Sequence, residues 1–321
     1  MTEGLNWGLP VILYLFLAGV GAGAMTVSAS VLLRGGGGGF GGEHFALARY
    51  GAMIAPFPVM VGCGLLILEL GSFQTGHWFK WINLYMTINW SPMSIGTWLL
   101  TLFIGVSVLY AYTFVAKDAR PGDRLDKLRQ TMAWIGVPLG IAVAVYTGIL
   151  LGAMPSRPFW NSPVLALLFL VSALSTGVAC IILARALLHA KSDDPEAERG
   201  FQQGGYLLTA SDTLLIGTEL MVVFLFIMYA YLTVGSVQEA VQVILPGGTL
   251  AALFWIWFVL VGLVLPALVE LRYVLPRLLY HRAYRVHRAM EIVVPALILV
   301  GGFMLRYVVV IAGQITGPVG I

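Results

Sequence analysis

Of the 321 residues, 59% are hydrophobic and only 10% charged, and the mean hydropathy is +0.90. A soluble domain carries about 25% charged residues, so this balance excludes a soluble enzyme and leaves an all-α integral membrane protein. The net charge of +3 says little; the placement of the basic residues says more, and no nucleic-acid partner is expected from it.

Hydrophobic runs long enough to cross a roughly 30 Å hydrocarbon core as helices recur along the whole chain. The hydropathy pattern predicts eight spans, at about 9–33, 50–71, 92–116, 133–153, 163–189, 207–234, 250–270 and 289–313. They form a single membrane domain over 1–321, with no soluble domain of useful size between them. The opening MTEGLNW lacks the basic segment of a signal peptide, and the apolar run after it is longer than a signal core, so a retained first helix is expected.

Span 1 reads VILYLFLAGVGAGAMTVSAS, with Gly19 and Gly23 four residues apart. Small residues at that spacing let helices approach closely; the alternative is room for an isoprenoid tail. The run Gly35–Gly39 is no phosphate loop, because no strand precedes it and no Lys-Ser/Thr follows. Span 2 places Glu69 close to the far interface. The loop after it carries His77, Trp78, Trp81, Tyr85 and Trp90, an aromatic set suited to lying in the interface or docking a partner. His77 could also hydrogen-bond a bound ring.

Between spans 4 and 5 stands YTGILLGAMPSRPFWNSP, Tyr146 to Pro163. A phenol two turns from a helix end, then a proline-broken loop with Arg157, Trp160 and Asn161, offers an apolar wall beside hydrogen-bond donors. A redox-active lipid headgroup needs that setting; an interfacial anchor and a helix-ending loop would look the same. Span 6 carries Asp212 and Glu219 on one face, seven residues apart, and span 8 carries Arg306. Ionisable groups inside a span are costly and are paired or line a polar path. With Glu69 they could form a proton relay, or structural ion pairs such as Arg306 with Glu69.

All 18 basic residues except Lys80, Arg157 and Arg306 fall on loops 1–2, 3–4, 5–6 and 7–8 or the adjoining helix ends. The positive-inside rule therefore puts both termini outside, away from the cytoplasm. The Arg-rich loop 7–8 is expected to contact membrane lipid of anionic charge. Cys63 and Cys180 sit in apolar runs without CxxC spacing, and none of His44, His77, His189, His281 and His287 lies in mid-span. No haem, no iron–sulfur cluster and no metal site is expected in this protein.

YLFLAGVGAGA in span 1, Glu69 in ILELG and above all YTGILLGAMPSRPFWNSPVLALLFLVSALSTG resemble the membrane subunit of polysulfide reductase and its NrfD-like relatives, over essentially the whole sequence. The resemblance implies two four-helix bundles in a prokaryotic cytoplasmic membrane and a menaquinone or ubiquinone site near the outer face. It implies a ferredoxin-like iron–sulfur partner, and through it a molybdenum or tungsten bis-pterin catalytic subunit or a multihaem cytochrome. By position, Tyr146 matches the family's quinone-contacting tyrosine and Glu69 an acidic position proposed for proton passage. Tyr14 falls near a histidine contact of the polysulfide reductase member, so that contact has changed type. Trp160 and Asn161 would shape the pocket mouth. Without the resemblance, the intramembrane carboxylates also fit an ion-coupled transporter or channel, although no internal repeat is visible.

Overall fold

A helix satisfies its own backbone hydrogen bonds within one segment, which is what a polypeptide crossing hydrocarbon requires. The computed structural model describes residues 7–34, 45–70, 82–86, 91–116, 123–188, 195–281 and 286–317. Among them the elements are helical throughout. Eight helices are long and apolar enough to span: α1 (Leu9–Arg34), α2 (Phe45–Leu68), α3 (Pro92–Val115), α4 (Asp126–Gly152), α5 (Pro163–Leu188), α6 (Gly200–Leu232), α7 (Leu253–Tyr280) and α8 (Arg288–Ile315). Large apolar side chains such as Leu214 (72% exposed) and Trp134 (69% exposed) face outward, as a lipid-facing surface demands.

Local chemistry sets the ends. The Ser91 hydroxyl accepts from the Ser94 N–H at 3.3 Å, with Pro92 in the first turn of α3, where a missing N–H costs nothing. Helix α7 stops at His281, whose φ of 51° is left-handed and whose N–H returns to the Pro276 carbonyl.

Four helices outrun the apolar segments that mark them. The helix of α2 begins at Phe45 rather than near residue 50, and α4 begins at Asp126 rather than 133. The helix containing α6 begins at Pro195 rather than 207, and α7 continues to Tyr280 past the expected end at 270. Hydropathy marks only the residues in hydrocarbon; helical hydrogen bonding continues through polar residues into the interface. The extension of α4 has a packing reason. Arg129 is fully buried, paired with Asp123 at 2.9 Å and Asp126 at 3.3 Å, and donates to the Thr113 carbonyl at 2.8 Å. Its guanidinium also lies 4.9 Å over the Phe45 ring and 5.0 Å over the Phe114 ring, tying α2, α3 and α4 together.

Helices α1 and α5 are central: 78% and 72% of their apolar windows are buried, against 33% for α2, α6 and α7. Helix α1 packs on α2, α4 and α5, and α3 on α4; α5 packs also on α4, α6 and α8, and α7 on α8. The α1–α5 seam is backbone against backbone. A Cβ at Gly23 would run into the Ala173 carbonyl, and one at Gly177 into the Gly23 backbone. The glycines of span 1 thus serve close helix approach at Gly23, and at Gly21 against Val59 and Ala55.

Gly23→Leu should therefore lower the thermal midpoint in detergent by at least about 3 °C, the scale expected of overpacking. Gly105→Leu, at a position open to surrounding space, should leave it unchanged; equal midpoints for the two variants would contradict the seam.

Candidate functional site

Among the polar side chains inside the helix assembly, one further group lies among α1–α4 and another among α5–α8. The first is at the end where the described residues begin and finish side by side: Trp7 N–H donates to Gln314 Oε1 and Gln314 Nε2 to the Trp7 carbonyl, each at 3.1 Å. Tyr146 lies six residues before the end of α4, Tyr14 five residues inside α1, and Gly96 in the first turns of α3. Tyr146 is buried and its ring fills the space beside Gly96, where any Cβ would overlap the Tyr146 hydroxyl. Tyr14 is 1% exposed, and its hydroxyl has no hydrogen-bond partner among the described residues. The Tyr14 and Tyr146 hydroxyls and the Cys63 thiol of α2 lie close enough to interact electrostatically.

Four helices therefore contribute to one cradle, in which two phenols and a thiol lie within electrostatic reach of one another. A buried hydroxyl left without a partner costs about 1–3 kcal/mol, so a group offering an acceptor would be stabilised there. Gly96 and Cys63 have no signal in the sequence by themselves; they are found only through the tyrosines they face.

The loop after α4 has a different role. Trp160 is 1% exposed, and its indole N–H donates to the Val309 carbonyl of α8 at 2.7 Å. It stacks on Trp7 with 5.3 Å between ring centroids, in a space that depends on Gly313 having no Cβ. Arg157 donates to the Gln314 carbonyl at 2.9 Å. Trp160 thus clasps the ends of α1 and α8, and its single donor is already committed. Asn161 is exposed beside it. Glu69 stands in the last turn of the helix Pro56–Leu70, but its side chain lies outside the described residues, as does all of His77.

The second group steps along α6. Arg306 of α8 is fully buried; it donates to Ser172 Oγ at 2.5 Å and to the Gly302 carbonyl at 2.9 Å, with its guanidinium 5.1 Å over the Phe169 ring. Buried Glu219 lies within electrostatic reach of both Ser172 and Arg306. Two turns further, Asp212 accepts from the Ser175 hydroxyl at 2.8 Å. Glu270 follows, 3% exposed, accepting from Thr213 at 3.0 Å and interacting electrostatically with Asp212.

Beyond Glu270, a small cleft of about 20 Å³ lined by Thr209, Glu270, Tyr273 and Glu291 adjoins the Arg185–Glu291 ion pair of 3.2 Å. Among the described residues, the carboxylate within electrostatic reach of Arg306 is Glu219. Asp212 Oδ2 and Glu219 Oε1 have no protein partner there, so each keeps a lone pair for water or a proton. Sequence reasoning missed Glu270 because hydropathy put it at a helix end, and Ser172 and Ser175 because small residues in an apolar run resemble packing residues.

A family model described as polysulphide reductase, NrfD, matches residues 1–318. The protein is 32% identical to the C component of the polysulfide reductase of Wolinella succinogenes, over 96% of its own length and 94% of that protein's. It is 29% identical to protein NrfD of Escherichia coli K12, over 98% and 96%. The C component of the selenate reductase of Mesobacillus selenatarsenatis is 22% identical, over 69% of the present sequence and 56% of that protein. Eight spanning helices and a match over nearly every residue make this multi-pass membrane protein a member of the NrfD polysulphide reductase family.

Proposed function

We propose that the protein is the quinone-reactive membrane subunit of a respiratory reductase complex. Its site is the Tyr14–Tyr146 cradle. The observation that carries this reading is the buried Tyr14 hydroxyl without a partner among the described residues, within electrostatic reach of Tyr146 and Cys63. A menaquinone or ubiquinone bound there supplies two-electron, two-proton redox chemistry. Tyr146 and Tyr14 hold it by donating hydrogen bonds toward its carbonyl oxygens, and the missing Cβ of Gly96 keeps the Tyr146 ring in place. Asn161 is exposed on the loop that Trp160 fixes to α8, and His77 remains a candidate hydrogen-bond partner from the sequence alone.

The names of two relatives, which make them components of a polysulfide reductase and of a selenate reductase, support partners in a complex. The proposed partners are a ferredoxin-like iron–sulfur subunit and, through it, a molybdenum or tungsten bis-pterin enzyme or a multihaem cytochrome. Basic residues concentrated on alternate loops support both termini outside a prokaryotic cytoplasmic membrane, with the cradle near the outer face. Helix contacts within α1–α4 and within α5–α8, joined at α1–α5 and α4–α5, support one membrane domain of two four-helix halves.

Protons accompany the electrons, and the second half is arranged to move them. Glu270 and Asp212, each held by a hydroxyl, lead to Glu219, which lies within electrostatic reach of Ser172 and Arg306. Glu69 serves the outer side. Carboxyl groups alternating with serine and threonine hydroxyls can accept and return protons without large movement.

Tyr146→Phe removes the donor and keeps the ring. With the complex assembled, quinol turnover should fall by about tenfold or more, the equivalent of one lost buried hydrogen bond; wild-type turnover would refute the site. In vesicles, Asp212→Asn should slow the proton transfer that accompanies turnover at the side bearing the Arg-rich loops by at least about tenfold, with the KM for quinol little changed. Unchanged transfer would leave the carboxylates a structural role only.

A further inference from the structure

Helices α1 and α6 both pack on α5, but among the described residues they are not packed against each other. Between them lies a groove of about 220 Å³ with α5 as its floor. Its walls follow helical periodicity: Val27 and Val31 on α1, Leu174 and Val178 on α5, Leu207 and Leu215 on α6. Arg34, the exposed last residue of α1, stands at one end and Thr26 at the other. Eight residues separate them, about 12 Å of helix. Ser30 lies one turn deeper than Arg34, and Ser211 opens on the same space. Among the described residues no carboxylate lines the groove, and none forms an ion pair with Arg34.

An apolar cavity of about 150 Å³ already takes up a benzene-sized molecule, so a larger one opening toward lipid is filled. The walls suit a hydrocarbon tail, the Ser30 hydroxyl an ester group, and the arginine a phosphate; the Ser211 hydroxyl donates to the Leu207 carbonyl of its own helix at 2.8 Å. A neutral isoprenoid ring would leave the cation at the mouth without a counter-charge.

We infer that this groove is a binding site for one anionic glycerophospholipid, with an acyl tail along α5 and the phosphate on Arg34. Because Arg34 belongs to the basic side of the protein, the lipid comes from the leaflet proposed above as cytoplasmic. The groove and its charge do not depend on the quinone reading. A single cation near anionic lipid contributes about fivefold in affinity.

The full-length protein, purified in mild detergent, is titrated with phosphatidylglycerol and separately with phosphatidylcholine, and the retained lipid is counted by native mass spectrometry. The wild type should hold one phosphatidylglycerol and prefer it over phosphatidylcholine by about fivefold. Arg34→Gln should lose that preference. Ser211→Phe and, independently, Ser30→Leu should fill the groove and release the lipid at unchanged helix content. A wild type without preference, an Arg34→Gln variant that keeps it, or groove-filling variants that retain the lipid would each overturn the inference. So would quinone found in the lipid's place.

Discussion

Inside a membrane, every polar atom must find its partner within the protein, because the surrounding hydrocarbon offers none. That constraint explains how the interior is arranged. Arg129 is buried with two aspartates, a carbonyl and two aromatic rings around it. Arg306 is buried against a serine, a carbonyl and the Phe169 ring, with Glu219 within electrostatic reach. Trp160 gives its single N–H to a carbonyl of α8. Tyr14 differs from these: it is a fully enclosed hydroxyl whose partner the described residues do not supply, as they also do not for the Ser162 hydroxyl and for one oxygen each of Asp212 and Glu219.

The same constraint keeps two polar groups apart. Two phenols and a thiol lie together among α1, α2 and α4. Asp212, Glu219, Glu270 and Arg306 gather among α5–α8, spaced by hydroxyls. The seam at Gly23 and Gly177 brings the halves into backbone contact. The carboxylate set and the tyrosine cradle are thus held in one packed structure while their chemistries remain separate.

The eight helices were legible in the sequence because apolar runs of this length have few other solutions. A phenol near a helix end and a family motif singled out Tyr146 and Tyr14, and the structure places the two within electrostatic reach of each other. Helix bounds were less so: Asp126, Arg129 and Glu270 look like loop or terminal residues by hydropathy, yet the helices continue through them. Gly96, Cys63, Ser172 and Ser175 were hidden because their importance lies in what faces them across a helix interface, which no one-dimensional pattern records. Trp160 reads in sequence as part of a pocket mouth; in the structure its indole donates to Val309 of α8, 149 positions away, and stacks on Trp7 just before α1.

Purification by a tag on this protein in mild detergent, with bound quinone extracted and co-purifying proteins identified by mass spectrometry, bears most directly on the central claim. The expected result is quinone together with an iron–sulfur protein and a pterin enzyme or multihaem cytochrome. A lone polypeptide without quinone would contradict the claim, and would turn the buried carboxylates toward ion-coupled transport.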